Sequence, residues 1–292
     1  PPTVHNNTVL FGSADGWVYC LREEDGALVW RYRGAPEERA IVVRGQLESA
    51  WPIHGSVLVE NDVAVVAAGR SSYVDGGIHI TRLNPATGKK LSETLVNSLD
   101  PKTGKQPPGG VDLRGVLNDI LAASNGSVYM RHLKLDFETG DDLAIGPPHL
   151  FAPMGFLDGA WWHRSYWLFG SDPVCMPAKN ESGWAIWSRV GNMVPSGRIL
   201  ALGDDTVFGY GRTKYPHGGA GQFRGGEKYH LFSAEKKMKP LPSHKKDQHL
   251  RYARSGGKLG LRNTPTPELF NYRWSVEVPV FAKALVLAAD TL

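Results

Sequence analysis

The chain has 292 residues, 41% of them hydrophobic and 21% charged, with a formal net charge of +4. This composition supports a large buried core and excludes an intrinsically disordered chain. The 34 glycines and 20 prolines argue against a mainly helical protein, because both residues disfavour helix interiors.

No apolar run reaches the roughly 18 residues a membrane helix needs, so no transmembrane segment is predicted. The chain opens on Pro1-Pro2 and shows no basic-then-apolar leader. Cys20 and Cys175 belong to no CxxC or CxxCH pattern and settle no redox compartment. The charge is uneven. Residues 236–273 carry ten Lys or Arg against Asp247 and Glu268, a local +8 that leaves the rest of the chain at −4. Although Tyr252, Phe270 and Tyr272 lie among these cations, no nucleic-acid-binding motif is present. No nucleic-acid partner is predicted, and the segment reads as a solvated basic insertion.

The predicted elements are short strands between tight turns. Residues 8–13, 17–22 and 27–32 are strands, preceded by a lead-in at 2–4 and the turn Asn6-Asn7. A second unit follows at 54–59, 63–68, 77–83 and 89–95. Gly26 and Gly88 occupy equivalent turn positions at an offset of 62, where positive φ is needed. A third unit is predicted at 116–123 and 127–133, and an irregular fourth at 155–157 and 164–170. The fifth comprises 198–202, 206–210, 229–234 and 272–278, with the basic insertion between its last two strands. A sixth would begin at 282–288. Repeated four-strand units of this kind predict an all-β fold, a β-propeller of four-stranded blades in one domain.

The stretch Val9-Leu10-Phe11-Gly12-Ser13-Ala14-Asp15-Gly16-Trp17-Val18-Tyr19, with Asp25-Gly26 and Trp30, resembles the quinoprotein-type (PQQ-like) propeller repeat. That repeat carries A-x-D-x-x-T-G-x-x-x-W, and its tryptophan docks each blade onto the next. Gly26 and Trp30 keep the spacing, while Cys20, Arg22 and Asp25 replace Ala, Asp and Thr. In the second unit Thr87 and Gly88 match, but Arg82, Asn84 and Ser92 depart. The likeness extends to the family's assembly-factor type, which keeps the repeat without the cofactor. The resemblance implies seven or eight blades in the full protein, of which this chain is an incomplete part, and a periplasmic or secreted location.

In such a blade the A–B and C–D turns leave one face, and the B–C and D–A connections leave the other. The long segments fall mainly on the second face: 34–52 and 96–115 at D–A, and 69–76, 171–195 and 211–228 at B–C. The candidate ligand-binding residues there are Glu48, Trp51, His54, Arg70, Asp75, Arg131, His132, Asp158, Trp162, His163, Arg164 and Tyr166. Aromatic rings stack on flat ligands, while Arg and His bind carboxylates and oxygens. The alternative is that the tryptophans fill blade interfaces and the His and Arg satisfy backbone carbonyls. Two functions follow: a non-catalytic propeller binding a glycan or protein partner, or an enzyme acting on carbohydrates or alcohols. For the enzyme, Arg131-His132 and His163-Arg164 are the candidate acid–base pairs. The histidines lack HExxH or zinc-like spacing, and adjacent cysteines are absent. No PQQ, calcium, haem or zinc is therefore expected.

Overall fold

A computed structural model of the chain describes residues 2–105, 118–131, 133–140, 148–151, 167–170, 193–213, 228–239 and 268–288. Every regular element among them is a β-strand. No helix there is long and apolar enough to cross a membrane. The chain divides into two compact units. One comprises Pro1–Gln106, Arg114–Ala144 and Gly155–Leu157, and the other comprises Pro107–Leu113, Ile145–Met154 and Asp158–Leu292.

In the first unit β1 (Thr3–His5), β2 (Thr8–Gly12), β3 (Trp17–Arg22) and β4 (Leu28–Arg33) form an antiparallel meander. The hairpin β5 (Ala40–Val43) and β6 (Gln46–Ser49) follows. A second meander contains β7 (Leu58–Glu60), β8 (Val63–Ala68), β9 (Ile78–Leu83) and β10 (Lys90–Val96). A third sheet has β11 (Leu121–Ser124), β12 (Ser127–Met130) and β13 (Leu133–Asp136). The first strands β1, β7 and β11 adjoin in sequence, as the innermost strands of propeller blades do. The fold is an all-β propeller of four-stranded blades.

The apolar run of β8 shows why a blade reads as it does. Ala64, Val66 and Ala68 pack with Leu10, Val18 and Cys20 of the first blade, while Val65 and Ala67 pack with Val128, Met130 and Leu135 of the third. Successive side chains point to opposite faces, and both faces meet a blade, so the strand needs no polar side. Each fully buried valine, leucine or isoleucine side chain contributes about 1.5–3 kcal/mol.

Docking between blades is specific. Trp30 on β4 donates its indole N–H to the carbonyl of Pro85, 2.9 Å away in the β9–β10 turn. Its ring lies against Gly88, where an added Cβ would come within 2.6 Å of it. This is the docking that the tryptophan of the repeat implies. Ser92 stands where the second blade would need its own tryptophan, and Arg82 takes over. Its Nε donates to the carbonyl of Phe137 at 2.6 Å, and Nη2 to that of Asp136 at 2.7 Å. Phe137 holds the place in Asp136–Gly140 that Pro85 holds in 84–88, one residue after the turn's Asp or Asn. Two different donors thus serve one equivalent carbonyl.

In the second unit β14 (His149–Phe151), β15 (Trp167–Gly170) and β16 (Ser196–Gly197) form one sheet. A four-stranded meander follows, with β17 (Ile199–Leu202), β18 (Thr206–Arg212), β19 (Tyr229–Glu235) and β20 (Tyr272–Glu277). β19 pairs directly with β20, and residues 240–267 between them, which hold most of the basic segment, lie outside the described residues.

Three strand expectations need correction. The predicted strand at 127–133 is broken after Met130, because Arg131 takes positive φ (55°) and starts a tight reversal into β13. The long connection at 34–52 contains the β5–β6 hairpin, closed by Arg44-Gly45 with φ of 50° and 78°. At 282–288 there is no strand, only an isolated bridge at Ala288.

Candidate functional site

Residues 36–57, 69–77 and 118–120, together with Arg131, leave the strands on the same face of the first unit, the B–C and D–A face. Five of the sequence candidates meet there around the base of the β5–β6 hairpin. Glu48 sits on β6 with Ile41 opposite, and Ile41 packs against the core, which sets that side of the hairpin onto the body. Arg70, just past β8, donates through Nη2 to the Glu48 carboxylate at 2.5 Å and to the Ser49 carbonyl at 3.3 Å. His54 Nε2 lies 3.4 Å from the same carboxylate oxygen.

The second group shares that base. Ser49 Oγ accepts from the Trp51 backbone N–H at 3.1 Å, and Trp51 donates its indole N–H to the Asp75 carbonyl at 2.7 Å. Arg39 lies 4.6 Å over the Trp51 ring and pairs with the Asp75 carboxylate. Trp51 itself is only 4% exposed, so it supports Arg39 and Asp75 rather than offering a stacking face. Arg39 and His54 are the accessible groups of the cluster.

The next blade repeats the device. Arg131 follows β12 and pairs at 3.6 Å with Asp119 from the preceding connection, both side chains being buried. Gly55 rests against the Asp119 backbone, and the Asn118 N–H donates to the Arg70 carbonyl at 3.4 Å. The two Arg–carboxylate pairs are therefore linked through the backbone. Arg39, Asn118 and Asp119 were missed in the sequence reading; Arg39 lies in the predicted 34–52 connection, whereas Asn118 and Asp119 fall inside the strand expected at 116–123. His132, Asp158, Trp162, His163, Arg164 and Tyr166 lie outside the described residues.

The hydrogen bond from Arg70 holds the Glu48 carboxyl below its ordinary range, against an opposing effect of burial. Burial pushes the His54 imidazole down, against the pull of Glu48. Both depressed groups act with the same sign. Each contributes stability that is complete above its unfolded pKa and is lost as pH falls through its folded one. Acidification should therefore lower the melting temperature in two windows, below about 6.5 for His54 and below about 4.3 for Glu48. His54→Gln should flatten the first window and leave the second, as read by melting curves from pH 7.5 to 3.5. An unchanged upper window in that variant would count against a lowered His54 pKa. Burial pushes His230 of the second unit down in the same way, so a smaller part of the upper window should survive in the variant.

Calcium in quinoprotein chemistry needs six to eight oxygen ligands, several of them carboxylates. The donor set does not fit, since the carboxylates of Glu48 and Asp75 are engaged by Arg70 and Arg39. Among the described residues no group of three or more His, Cys, Asp or Glu could hold a metal ion.

No protein-family model matches the chain, and no curated protein matches it by sequence. Solved structures do. BamB from Moraxella catarrhalis is similar at 14% identity over 71% of this chain and 52% of that chain, with a TM-score of 0.37. The quinohemoprotein alcohol dehydrogenase ADHIIG from Pseudomonas putida HK5 is similar at 12% identity over 83% and 44%, with a TM-score of 0.41. The computationally designed Ika4 protein is similar at 18% identity over 59% and 83%, with a TM-score of 0.32. The chain spans about half the length of the first two. Similarity this distant decides nothing about its chemistry.

Proposed function

We propose that this chain is a non-catalytic propeller that binds a protein partner through the B–C and D–A face of its first unit. The observation that carries this is the exposed pair Val42 and Leu47, 75% and 74% exposed, on a hairpin rooted in the Arg70–Glu48–His54 cluster. An apolar patch with a charged rim is the usual make-up of a protein-binding surface. A glycan would want an open aromatic face, and Trp51 is buried. A general base would want a free carboxylate titrating near neutral pH. Glu48 is instead engaged by arginine and held ionised.

The test is a parallel selection. The immobilised protein is offered a displayed random-peptide library and a glycan array, beside an Arg39→Ala/Arg70→Ala double variant. Peptides enriched by the wild type and lost by the variant support the proposal. Glycan signal without peptide enrichment contradicts it. The proposal includes no bound quinone. Protein incubated with PQQ and calcium, then desalted, should keep no quinone absorbance, and retained absorbance would return the enzyme reading.

A further inference from the structure

The β5–β6 hairpin is a two-stranded sheet by itself, with no third strand on either side among the described residues. Arg44 and Gly45, at φ 50° and 78°, make the two-residue turn whose flanking pair Val43↔Gln46 exchanges backbone hydrogen bonds. Hydrogen-bonded and non-bonded pairs alternate along an antiparallel ladder. Ile41↔Glu48 is then the next bonded pair, while Val42↔Leu47 and Ala40↔Ser49 turn their N–H and C=O groups outward.

The Ser49 N–H confirms this phase by donating outward to the Ala14 carbonyl at 2.8 Å. That contact uses up part of the β6 edge. The β5 edge is open: neither Ala40 nor Val42 has a backbone partner beyond β6 among the described residues. Both residues are exposed, Val42 with an apolar side chain directly opposite exposed Leu47. Natural edges are commonly blunted by charge, proline or a covering element. Here the residues that carry the open groups are an alanine and a valine.

We infer that the β5 edge is a strand-addition site that takes an extended segment of the partner protein. The inference rests on the protein-binding reading and gives it a mode. An incoming strand would exchange backbone hydrogen bonds with Ala40 and Val42 and set an apolar side chain beside Val42 and Leu47. A helix or a sugar could use the apolar pair but not the row of donors and acceptors. That row selects the occupant.

The experiment uses the peptides enriched from the displayed library. Val42→Pro removes the outward N–H without touching a bond of the hairpin, since proline is tolerated where an edge N–H faces solvent. It should weaken peptide binding about tenfold or more by leaving a partner carbonyl unpaired. Val42→Ala trims the side chain but keeps the outward N–H, so it should weaken binding severalfold less than Val42→Pro, and the difference between the two reads the backbone bond. Bound peptide should also slow amide exchange at Ala40 and Val42. Peptides that bind Val42→Pro normally, without that protection, would overturn strand addition and leave the binding face standing. Failure to enrich any peptide would remove both.

Discussion

Trp30→Ala should lower the stability of the first unit by about 3 kcal/mol, from the lost ring contacts at the blade junction. Trp30→Phe keeps most of the ring but not the N–H to Pro85, and should cost about 1 kcal/mol. Gly88→Ala attacks the same contact from the other side. At φ +68° an L side chain is strained, and its Cβ would sit 2.6 Å from the indole. Together these terms should cost about 2–4 kcal/mol. Denaturant unfolding followed by tryptophan fluorescence checks the series. A Gly88→Ala protein as stable as the wild type would show that the two blades do not dock through this contact.

Arg82→Ala should be as damaging, at about 3–5 kcal/mol. Arg82 is 3% exposed, and its removal leaves the Asp136 and Phe137 carbonyls without that donor at the blade boundary. Arg82→Lys should recover little of this. An ammonium carries a point charge and cannot present two N–H groups in a fixed planar fork. Gly140 also matters here, because an added Cβ would fall 2.6 Å from Nη1 of Arg82. The same unfolding measurement applies. An Arg82→Lys protein of wild-type stability would mean that charge rather than fork geometry holds the junction.

These two positions show what the sequence could and could not disclose. Trp30 was legible, since it stands at the right distance from a turn glycine in a repeat with a known docking role. Arg82 reads as a departure from that repeat. Its purpose depends on a carbonyl 55 residues away, which no local pattern reports. The turns Asp100–Gly104 and Asp136–Gly140 carry the repeat's D-x-x-T-G in full, and neither figures among the predicted turns. In each, the aspartate accepts the backbone N–H three residues on and is held below the ordinary carboxylate range by it. The first falls inside a long predicted connection, and the second lies beyond the strand expected at 127–133.

The site was legible to a similar degree. Loop length placed Glu48, Trp51, His54, Arg70 and Asp75 on one face, because strand alternation fixes the side on which each connection emerges. Pairing was not legible. Which carboxylate meets which arginine depends on the β5–β6 hairpin, and nothing in 34–52 sets that hairpin apart from a plain connection. Asp119, which completes the second Arg–carboxylate pair, sits just before β11, inside the strand expected at 116–123.

Titration calorimetry of a library-selected peptide against wild type, Arg39→Ala and Arg70→Ala tests the binding face most directly. Arg70→Ala frees Glu48 and loosens the hairpin base, while Arg39→Ala strips the accessible cation from Trp51 and Asp75. Each change should weaken binding by about tenfold, equivalent to about 1.4 kcal/mol, with melting curves showing both variants folded. A peptide bound equally by all three folded proteins would place the binding surface elsewhere and contradict the account.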